Sequence, residues 1–401
     1  MRVVQKFGGS SVATAQKMNN VADIVTERYK KGDQVVVVVS AQGDTTDDLI
    51  EKAREINEKA SNREMDMLLS TGEQISASLL AMAIEKMGYS AISLNGWQAG
   101  IETNSNHSAA RIRAIHGERI ERELDQKKIV IVTGFQGVNK YEDIATLGRG
   151  GSDTSAVALA AALKADLCQI YTDVDGVFTA DPRIVKTARK LDEISYDEML
   201  ELASLGANVL HNRSVEMGKK FHVEIEVLSS FSRLPGTIVK EVKNVEKMLV
   251  RGVTRDNDIA RIAVIGVEDR PGVAFSIFSL LAKKNINVDV ILQSIGRESS
   301  KDISFTVTKS HLQLALDLLT ENMEKIGVKE ITHTENVSKV SIVGAGMVNN
   351  PGVAAAMFEA LFDVGININM ISTSEIKVSV LIDEKDAEKA VNAIHDKFMI
   401  P

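Results

Sequence analysis

The sequence predicts an α/β fold for about the first 230 residues, with a mainly parallel sheet covered by helices on both faces. Two unbroken apolar runs, Val35–Val39 and Ile129–Val132, have the β-branched composition of strands that are buried on both sides. Helical stretches lie between such runs, at Ala15–Lys31, Leu68–Met87 and Thr154–Lys164. Strands that alternate with helices are typical of an α/β domain. Ligands of these domains bind beyond the carboxyl ends of the strands, so the polar segments there are candidate site residues.

The last 140 residues contain a repeat with a spacing of 80 residues. Pro271-Gly272 recurs as Pro351-Gly352, and Ile286-Asn287 recurs as Ile366-Asn367. A unit of this length that is present twice predicts paired small α+β domains, because a solenoid needs three or more units. We expect the first domain over 1–232, a charged linker with a Pro-Gly pair over 233–247, and the two copies over 260–335 and 336–401.

A count of strands leaves the second copy incomplete. The first copy contains four strand-like runs, whereas the second contains three before its last helix. A spare strand-like run, Leu249–Thr254, precedes the first copy, and an unpaired sheet edge is a liability. We therefore predict that residues 248–254 complete the second sheet, so that the first copy is inserted within the second. An isolated linker strand, or pairing with the first domain, is the alternative.

The composition excludes several classes of protein. Of the 401 residues, 44% are hydrophobic and 25% are charged, which is typical of globular domains. A net charge of −8 offers no basic field for a nucleic acid. The single cysteine, Cys168, excludes an intrachain disulfide and indicates a reducing, cytoplasmic environment. No signal peptide is visible and no run reaches 18 apolar residues, so we expect no association with a membrane.

Several familiar motifs are absent from the sequence. There is no GxxxxGK[ST] phosphate-binding loop. The segment Gly148–Asp153 lacks the third glycine of a dinucleotide fingerprint, and it follows no obvious strand. The seven histidines form no HExxH motif and no closely spaced cluster. We therefore expect no metal site built from protein ligands and no serine-type triad.

The segment Lys6–Ser11 follows a short predicted strand, Val3–Gln5. Its two glycines let main-chain amides approach an anion closely, and the helix that opens next favours negative charge at its start. Lys6 adds a point charge that can bridge phosphate oxygens. The pattern indicates a phosphate-binding turn; an ordinary strand-to-helix turn with a solvated lysine is the alternative.

A second glycine-rich loop, Leu147–Thr154, precedes the alanine-rich stretch Ala156–Ala165. Its glycines expose main-chain amides, and Arg149 offers a planar fork for a carboxylate. Ser152 or Asp153 can cap the following helix. Because one loop combines a carboxylate reader, an anion nest and an acidic group, we interpret it as functional rather than as a mobile loop with an ordinary cap.

Three further polar segments are weaker signals. In Tyr171–Arg183 a strand ends in an Asp-rich turn and a Pro-Arg step, along which a nucleotide could lie, although a plain β-turn is the commoner use of Asp-Gly. Ser40, Thr46 and their neighbours follow the valine run. Glu73 lies near the predicted start of a helix, where a glutamate usually complements the helix dipole.

Taken together, these segments resemble the aspartate kinases of the amino-acid kinase superfamily. The resemblance covers essentially the whole chain and is carried by KFGGSS, VSAQGDTTD, STGE, GFQGV, LGRGGSDTSA and YTDVDGVFTADPR. The C-terminal repeat resembles paired ACT domains, which bind free amino acids. The implied fold is a three-layer α/β sandwich with a mainly parallel sheet, followed by two ferredoxin-like α+β ACT domains. In GANVLHNRS, Asn208 and Asn212 stand where the family often has Lys and Pro, so no nucleotide role is assigned to residue 208.

The resemblance implies phosphoryl transfer from ATP to the side-chain carboxylate of L-aspartate, giving 4-phospho-L-aspartate and ADP. This is the first step toward lysine, threonine and methionine. The nucleophile is a carboxylate that is ionised at pH 7, so no general base is needed. Catalysis then has to come from positioning and from neutralising charge. Mg²⁺ is expected on the oxygens of ATP and on water.

The resemblance also assigns roles to residues. The catalytic residues would be Lys6, which stabilises the transferred group, and Asp153, which organises the loop. The ATP-binding residues would be Lys6, Phe7, Gly8, Gly9, Ser10, Thr172, Asp173, Phe178, Asp181 and Arg183. Aspartate would be bound by Arg149 at its α-carboxylate and by Glu73 at its α-ammonium group, with Ser40, Thr46 and Ser152 orienting it.

Feedback inhibition by threonine, lysine or both is a further implication of the resemblance. The effector-binding residues would be Asp269, Arg270, Pro271, Gly272, Val273, Ala274 and Gln293 in the first copy, and Val353, Ala354, Asn367, Ile368 and Ser374 in the second. Simple turn formation is the alternative for the Pro-Gly and Asn residues. The ACT domains are expected to pair in a homo-oligomer, or with a separately translated regulatory subunit that starts near Met248.

Two other functions remain open at this point. One is a kinase that acts on glutamate, acetylglutamate or carbamate instead of aspartate. The other is a catalytically silent amino-acid sensor in which the ACT pair does the work. The intact set of Lys6, Glu73 and Arg149 argues against the sensor.

Overall fold

The computed structural model describes residues 1–207, 209–242, 249–294 and 300–399, leaving aside the side chains of residues 348 and 349. The chain divides into two compact units. The first comprises Met1–Phe178 and Arg189–Asn244, and the second comprises Thr179–Ala188 and Val245–Pro401.

The first unit contains a large sheet, a small sheet and eight helices among its described residues. In chain order these elements are β1 Arg2–Phe7, α1 Gly9–Val12, α2 Ala15–Lys30, β2 Gln34–Val39, α3 Thr45–Ile56, α4 Asn62–Lys86, β3 Ala91–Leu94, β4 Ile101–Thr103, β5 Ile112–Ile115, α5 Glu118–Asp125, β6 Ile129–Thr133, β7 Gln136–Val138, β8 Ile144–Thr146, α6 Gly151–Ala162, β9 Leu167–Thr172, β10 Glu193–Ser195, α7 Tyr196–Ser204, α8 Asn212–Phe221, β11 Ile225–Ser229 and β12 Thr237–Lys240.

The large sheet has eight strands in the order β10-β12-β11-β9-β1-β2-β6-β3. Its described pairings are parallel except for β11 with β12, which run antiparallel. The valine run Val35–Val39 lies in β2 and is fully buried, as its lack of alternation predicts. Val21 of α2 and Leu80 of α4 pack in the same core as this strand. The small sheet has the order β5-β4-β7-β8. The predicted α/β fold with a mainly parallel sheet is confirmed.

Helix α4 is long and apolar enough to cross a membrane by length and composition alone, and it is the single such helix in the part of the chain that the structure describes. About half of its most apolar window, 44%, is buried inside the protein. Ala77, Leu80 and Ile84 of α4 pack in the core that contains β2. This packing is that of a core helix on a central sheet.

Among its described residues, the second unit contains two sheets of four strands, each covered by helices. Its elements are β13 Gly252–Asp256, β14 Ala260–Glu268, α9 Val273–Ala282, β15 Ile291–Gln293, β16 Ser300–Val307, α10 Lys309–Glu321, α11 Met323–Ile326, β17 Glu330–Thr334, β18 Val337–Val343, a 3₁₀ turn Ala345–Asn349, α12 Val353–Asp363, β19 Met370–Thr373, β20 Lys377–Asp383, a 3₁₀ turn Glu384–Asp386 and α13 Ala387–Met399. The sheet orders are β15-β16-β14-β17 and β13-β18-β20-β19.

Strand β13 lies at the edge of the second of these sheets. It pairs antiparallel with β18, from Gly252 opposite Val343 to Asp256 opposite Lys339. Between β13 and β18 in the chain lie all four strands of the other sheet. The first repeat is thus enclosed by the chain of the second.

Two segments differ from the expected boundaries. The linker expected over 233–247 contains β12, whose Ile238 and Val239 pair with β10 and β11 in the large sheet. The alternation of buried and half-buried residues in this short strand explains why it pairs instead of remaining a linker. The segment Thr179–Ala188 belongs to the second unit, where Ala180 and Val185 are buried in the core of the β13–β18 sheet. Val253 donates a main-chain hydrogen bond of 2.8 Å to Thr179 there.

Candidate active site

The carboxyl ends of four parallel strands meet at one edge of the large sheet. The register pairs Phe7 of β1 with Val39 of β2 and with Tyr171 of β9, and pairs Val39 with Thr133 of β6. The residues that follow therefore leave the sheet at the same level. The main-chain amide of Ser40 donates to Phe7 over 3.1 Å, and that of Gly134 donates to Val39 over 3.0 Å. Such an edge is where open α/β sheets bind ligands.

Lys6 and Asp153 form an ion pair at this edge. Nζ of Lys6, in β1, lies 2.6 Å from Oδ1 of Asp153, in the first turn of α6, and both side chains are mostly buried. The loop after β1 packs closely on the loop after β2, because a Cβ at Gly9 would lie 2.7 Å from the carbonyl oxygen of Ala41. Both charged residues are predicted at the site from the sequence, but the ion pair between them is not.

The remaining residues of the first loop differ in what they present. Gly8 and Gly9 are half-buried and Ser10 is exposed, so their main chain is accessible at the edge. Phe7 is fully buried and its ring stacks on Tyr171 at 4.5 Å between centroids. The ring of Phe7 is thus a packing group beneath the loop, and only its main chain lies near the edge.

Glu73 is a buried carboxyl group in the interior of α4. Its position near a predicted helix start is wrong, because α4 begins at Asn62, where the side chain of Ser61 accepts a hydrogen bond from the amide of Glu64. Glu73 is 4% exposed, and its Oε1 accepts a 3.0 Å hydrogen bond from the amide of Ala41. Its Oε2 has no hydrogen-bond partner among the described residues. Burial raises the pKa of Glu73 to about 7.

Three hydroxyl residues predicted at the site lie on separate elements. Ser40 is half-buried at the end of β2, and Thr46 is half-buried in the first turn of α3. Ser152 is buried in the first turn of α6, next to Asp153. Ser40 directly follows β2 at the carboxyl edge of the large sheet, and Ser152 precedes Asp153, which pairs with Lys6 there.

Arg149 lies in a loop with two left-handed glycines. The loop follows β8, a three-residue strand too short to recognise in the sequence, so the expectation of no preceding strand is wrong. Gly148 has φ of 76° and Gly150 has φ of 69°, conformations that favour glycine. Arg149 between them is exposed, and no carboxylate pairs with it within the described part of the chain.

Three residues that the sequence analysis does not select support this loop. Asp66 of α4 accepts hydrogen bonds from the amide and hydroxyl of Thr146 and from the amide of Ser108. Arg213 of α8 donates to the carbonyl oxygens of Leu147 and Ala110. The ring of His211 lies against Gly150, since a Cβ there would be 2.2 Å from its Cγ. Burial lowers the pKa of His211. Two of these three residues, His211 and Arg213, lie in the sequence segment GANVLHNRS, which is the available signal.

The predicted nucleotide residues fall into two groups. Thr172, Asp173 and Phe178 belong to the first unit, and the hydroxyl of Thr172 donates a 3.0 Å hydrogen bond to Asp173. Asp181 and Arg183 belong to the second unit, where they form an ion pair of 2.8 Å. Hydrogen bonding from Arg183 holds the pKa of Asp181 below its ordinary value. Residue 208 lies outside the described residues.

The predicted effector residues lie in both copies, and at the 80-residue spacing Val273 and Ala274 correspond to Val353 and Ala354. In the first copy, the turn between β14 and α9 contains Asp269–Gly272, Val273 and Ala274 begin α9, and Asp269 pairs with Lys301 over 2.6 Å. Gln293 ends β15. In the second copy, Val353 and Ala354 begin α12, Asn367 and Ile368 lie between α12 and β19, and Ser374 follows β19.

Comparisons with known proteins identify the family. The amino acid kinase family model matches residues 1–229, and the ACT domain model matches residues 262–323 and 340–398. The first unit thus has the fold of an amino acid kinase, and the repeats are ACT domains. The chain is 52% identical to the aspartokinase of Geobacillus stearothermophilus over 99% of this chain and 97% of that protein. The chain therefore belongs to the aspartokinase family, and it is a phosphotransferase.

Two solved structures share the whole fold. E. coli aspartokinase III in complex with aspartate and ADP, in its R-state, is 27% identical with a TM-score of 0.83, over 99% of both chains. The same enzyme in complex with lysine and aspartate, in its T-state, is 26% identical with a TM-score of 0.78, again over 99% of both. The arrangement of an amino acid kinase domain followed by two ACT domains is confirmed by these similarities.

Proposed function

We propose that this chain transfers the γ-phosphoryl group of ATP to the side-chain carboxylate of L-aspartate. The observation that carries the proposal is a pair of uncompensated charges at the edge that also holds Lys6. Arg149 is exposed without a carboxylate partner in the described chain, and one oxygen of buried Glu73 has no hydrogen bond. An α-amino acid supplies the two missing counterions, a carboxylate for Arg149 and an ammonium group for Glu73. Ser40, Thr46 and Ser152 complete this half of the site as orienting groups.

Lys6 stabilises the transferred phosphoryl group in this proposal, together with the main chain of Gly8, Gly9 and Ser10. Asp153, at 2.6 Å from Nζ, holds the ammonium group of Lys6 in place. The acceptor carboxylate is already ionised at neutral pH, so the protein needs to supply position and positive charge rather than a base.

Mg²⁺ is proposed to arrive bound to the phosphates of ATP. In the described ranges, no three His, Cys, Asp or Glu side chains are grouped so that they could hold a metal ion. Phosphate oxygens and water fit the ligand preference of Mg²⁺ better than a dedicated protein cage. When bound, the ion neutralises negative charge on the phosphates.

The nucleotide is proposed to lie beyond the end of β9. Thr172 ends that strand and Asp173 and Phe178 follow it, and β9 is the direct neighbour of β1, which carries Lys6 next to its last residue. Asp181 and Arg183 are also proposed as nucleotide-binding residues, on the resemblance of their sequence segment to the family.

Feedback inhibition is proposed to act through the ACT domains, with threonine, lysine or both as inhibitors. The patches around Gln293, at the end of β15, and around Ser374, directly after β19, are the proposed effector sites. We also propose a homo-oligomer formed through the ACT domains, or a hetero-oligomer with a regulatory subunit that starts near Met248, which lies outside the described residues. Aspartate phosphorylation begins the synthesis of lysine, threonine and methionine, and we place the enzyme in the cytoplasm.

The domain division is proposed to be 1–232 for the catalytic domain, 260–335 for the first ACT domain and 336–401 for the second, with residues 248–254 belonging to the second. The pairing of β13 with β18 supports the last assignment. Residues 233–247 are the proposed connection, shortened by β12.

An ADP-release assay with a panel of acceptors tests the proposed function. Purified enzyme with ATP and Mg²⁺ is given aspartate, glutamate, acetylglutamate or carbamate, and the acyl phosphate is trapped with hydroxylamine and identified by mass. ADP release with aspartate, and formation of the aspartyl hydroxamate, is the expected result. Product from another acceptor alone would identify a different amino acid kinase. Binding of threonine or lysine without ADP release from any acceptor would identify a sensor.

A further inference from the structure

The start of α8 contacts the loop that carries Arg149 at both of its ends. Arg213 donates from Nη1 to the carbonyl oxygen of Leu147 over 2.5 Å, immediately before Gly148. It also donates from Nη2 to the carbonyl oxygen of Ala110 over 2.9 Å. At the other end of the loop, the ring of His211 lies against Gly150.

Arg213 is half-buried, and its guanidinium group binds main-chain oxygens. No carboxylate forms an ion pair with it among the residues that the structure describes, and its contacts there are main-chain carbonyl oxygens. A half-buried guanidinium group that binds only carbonyl oxygens contributes less to stability than one in a good ion pair. Stability alone therefore does not explain why an arginine lies at position 213. Its hydrogen bond to the loop that carries Arg149 offers an explanation.

Asp66 complements Arg213 by binding the same two segments. Its fully buried carboxylate accepts from the amide and hydroxyl of Thr146, at 3.0 and 2.6 Å, and from the amide of Ser108 at 2.9 Å. Asp66 thus binds donors of the segments 108–110 and 146–147, whereas Arg213 binds their acceptors. Ala110 and Thr146 are joined directly by a main-chain hydrogen bond of 2.9 Å.

We propose that Arg213 and Asp66 are positioning residues that fix Arg149 for the α-carboxylate of the substrate. The proposal rests on the proposed function, because it assumes that Arg149 binds that carboxylate. Arg149 has a glycine in the left-handed conformation on either side and no side-chain partner in the described chain. Its orientation consequently depends on where the two ends of the loop are held. A displacement of about 1 Å of a binding group can cost about 100-fold in rate.

A double-mutant cycle tests whether Arg213 acts through Arg149. The variants are Arg213→Ala, Arg149→Ala and the double variant, with kcat and KM measured for aspartate and ATP. Arg213→Ala is expected to raise the KM for aspartate about tenfold, the lower end for losing a hydrogen bond to a charged group, and to leave the KM for ATP unchanged. In the Arg149→Ala background, Arg213→Ala is expected to raise the KM for aspartate less than about twofold, because the effects of coupled residues are not additive.

Arg2→Ala is the matched control. Arg2 also donates from its guanidinium group to a main-chain carbonyl oxygen, that of Leu163 at 2.6 Å, but it lies at the amino end of β1. This variant is expected to leave both KM values unchanged. Asp66→Asn is a second variant, in which one amide oxygen replaces two carboxylate oxygens. Asp66→Asn is expected to raise the KM for aspartate and to leave the KM for ATP unchanged. Arg213→Lys is expected to bind aspartate more tightly than Arg213→Ala does, but less tightly than the wild type.

The outcomes separate the two proposals. If Arg149→Ala raises the KM for aspartate but Arg213→Ala adds its full effect in that background, Arg213 does not act through Arg149 and the inference is wrong. If Arg149→Ala leaves the KM for aspartate unchanged, the proposed binding role of Arg149 is wrong. Thermal unfolding shows which variants fold. If Arg213→Ala does not fold, Arg213→Lys and Asp66→Asn are each combined with Arg149→Ala in the same cycle. Full additivity of their effects on the KM for aspartate again overturns the inference.

Discussion

Two pairs of charges at the carboxyl edge of the sheet differ in how they are neutralised. Lys6 and Asp153 lie 2.6 Å apart and neutralise each other. Glu73 and Arg149, in contrast, have no charge of opposite sign paired with them in the described chain. In the proposed assignment, Lys6 and Asp153 belong to the phosphate side of the site, where the two charges neutralise each other, and Glu73 and Arg149 belong to the amino acid side, where a zwitterion would supply the missing charges. The following experiments separate the two sides.

The largest effect is expected on the phosphate side, from Lys6→Ala. Loss of one group that stabilises the transition state lowers kcat about 10²–10³-fold, and the KM for aspartate should change much less. Steady-state kinetics for both substrates measure this. Lys128→Ala is the control, because Lys128 forms a similar ion pair of 2.7 Å with Glu123 on α5. A near-normal kcat for Lys6→Ala would contradict the assigned role.

On the amino acid side, Arg149→Ala is expected to weaken aspartate binding by about 1.5–3 kcal/mol, the value of a hydrogen bond to a charged group. That corresponds to a KM about 10–150 times higher, with ATP affinity nearly intact. Titration calorimetry with each ligand measures the two affinities separately. If the variant weakens the binding of ATP and of aspartate equally, Arg149 binds the phosphates rather than the α-carboxylate of aspartate.

A smaller effect is expected from pH, through Glu73. Its pKa of about 7 means that the carboxyl group becomes protonated below that pH and no longer pairs with an ammonium group. Aspartate affinity should therefore fall by up to about tenfold for each pH unit below 7. In Glu73→Gln this dependence should be absent and affinity low throughout. An unchanged pH profile in that variant would assign the dependence to another group.

The stability of the ligand-free protein should respond to the same group with a definite sign. Because burial raises the pKa, the folded state binds more protons than the unfolded state between pH 4.5 and about 7. The contribution of Glu73 to stability is therefore present below pH 4.5 and is lost as the pH rises through about 7. Thermal unfolding of the wild type against Glu73→Gln measures it. Glu123→Gln is a control for which the pH dependence of stability should have the opposite sign, because a hydrogen bond from Lys128 lowers the pKa of Glu123.

The smallest effect on the uninhibited reaction is expected in the second unit, from Gln293→Ala. This change should raise the concentration of threonine or lysine needed for half-inhibition. Activity measured with and without each amino acid gives the shift. Leu292→Ala, at the neighbouring exposed position of β15, is the control. Unchanged inhibition after substitutions at both Gln293 and Ser374 would exclude these patches as effector sites.

Local patterns predict most of the fold and part of the site. The valine run predicts β2 because a run of neighbouring residues is enough to define a buried strand, and the Pro-Gly repeat predicts paired domains because the same short pattern recurs 80 residues later. Glu73 is placed wrongly because its helix is set by a cap at Ser61, twelve residues earlier. Asp66 and Arg213 are not found at all, because their partners at Thr146 and Leu147 are distant in the chain and become neighbours only when β8 and α8 are in place. The membership of Asp181 in the second unit likewise depends on long-range packing.

The pairing of β13 with β18 has a consequence for synthesis on the ribosome. The two strands are separated by roughly 80–90 residues of chain. At a translation rate of about 5–20 residues per second, β13 emerges on the order of ten seconds before its partner. During that interval the whole first ACT repeat is made and can fold. Chaperone occupancy on stalled nascent chains should therefore be highest for chains that end shortly before β18 and should decrease once that strand has emerged.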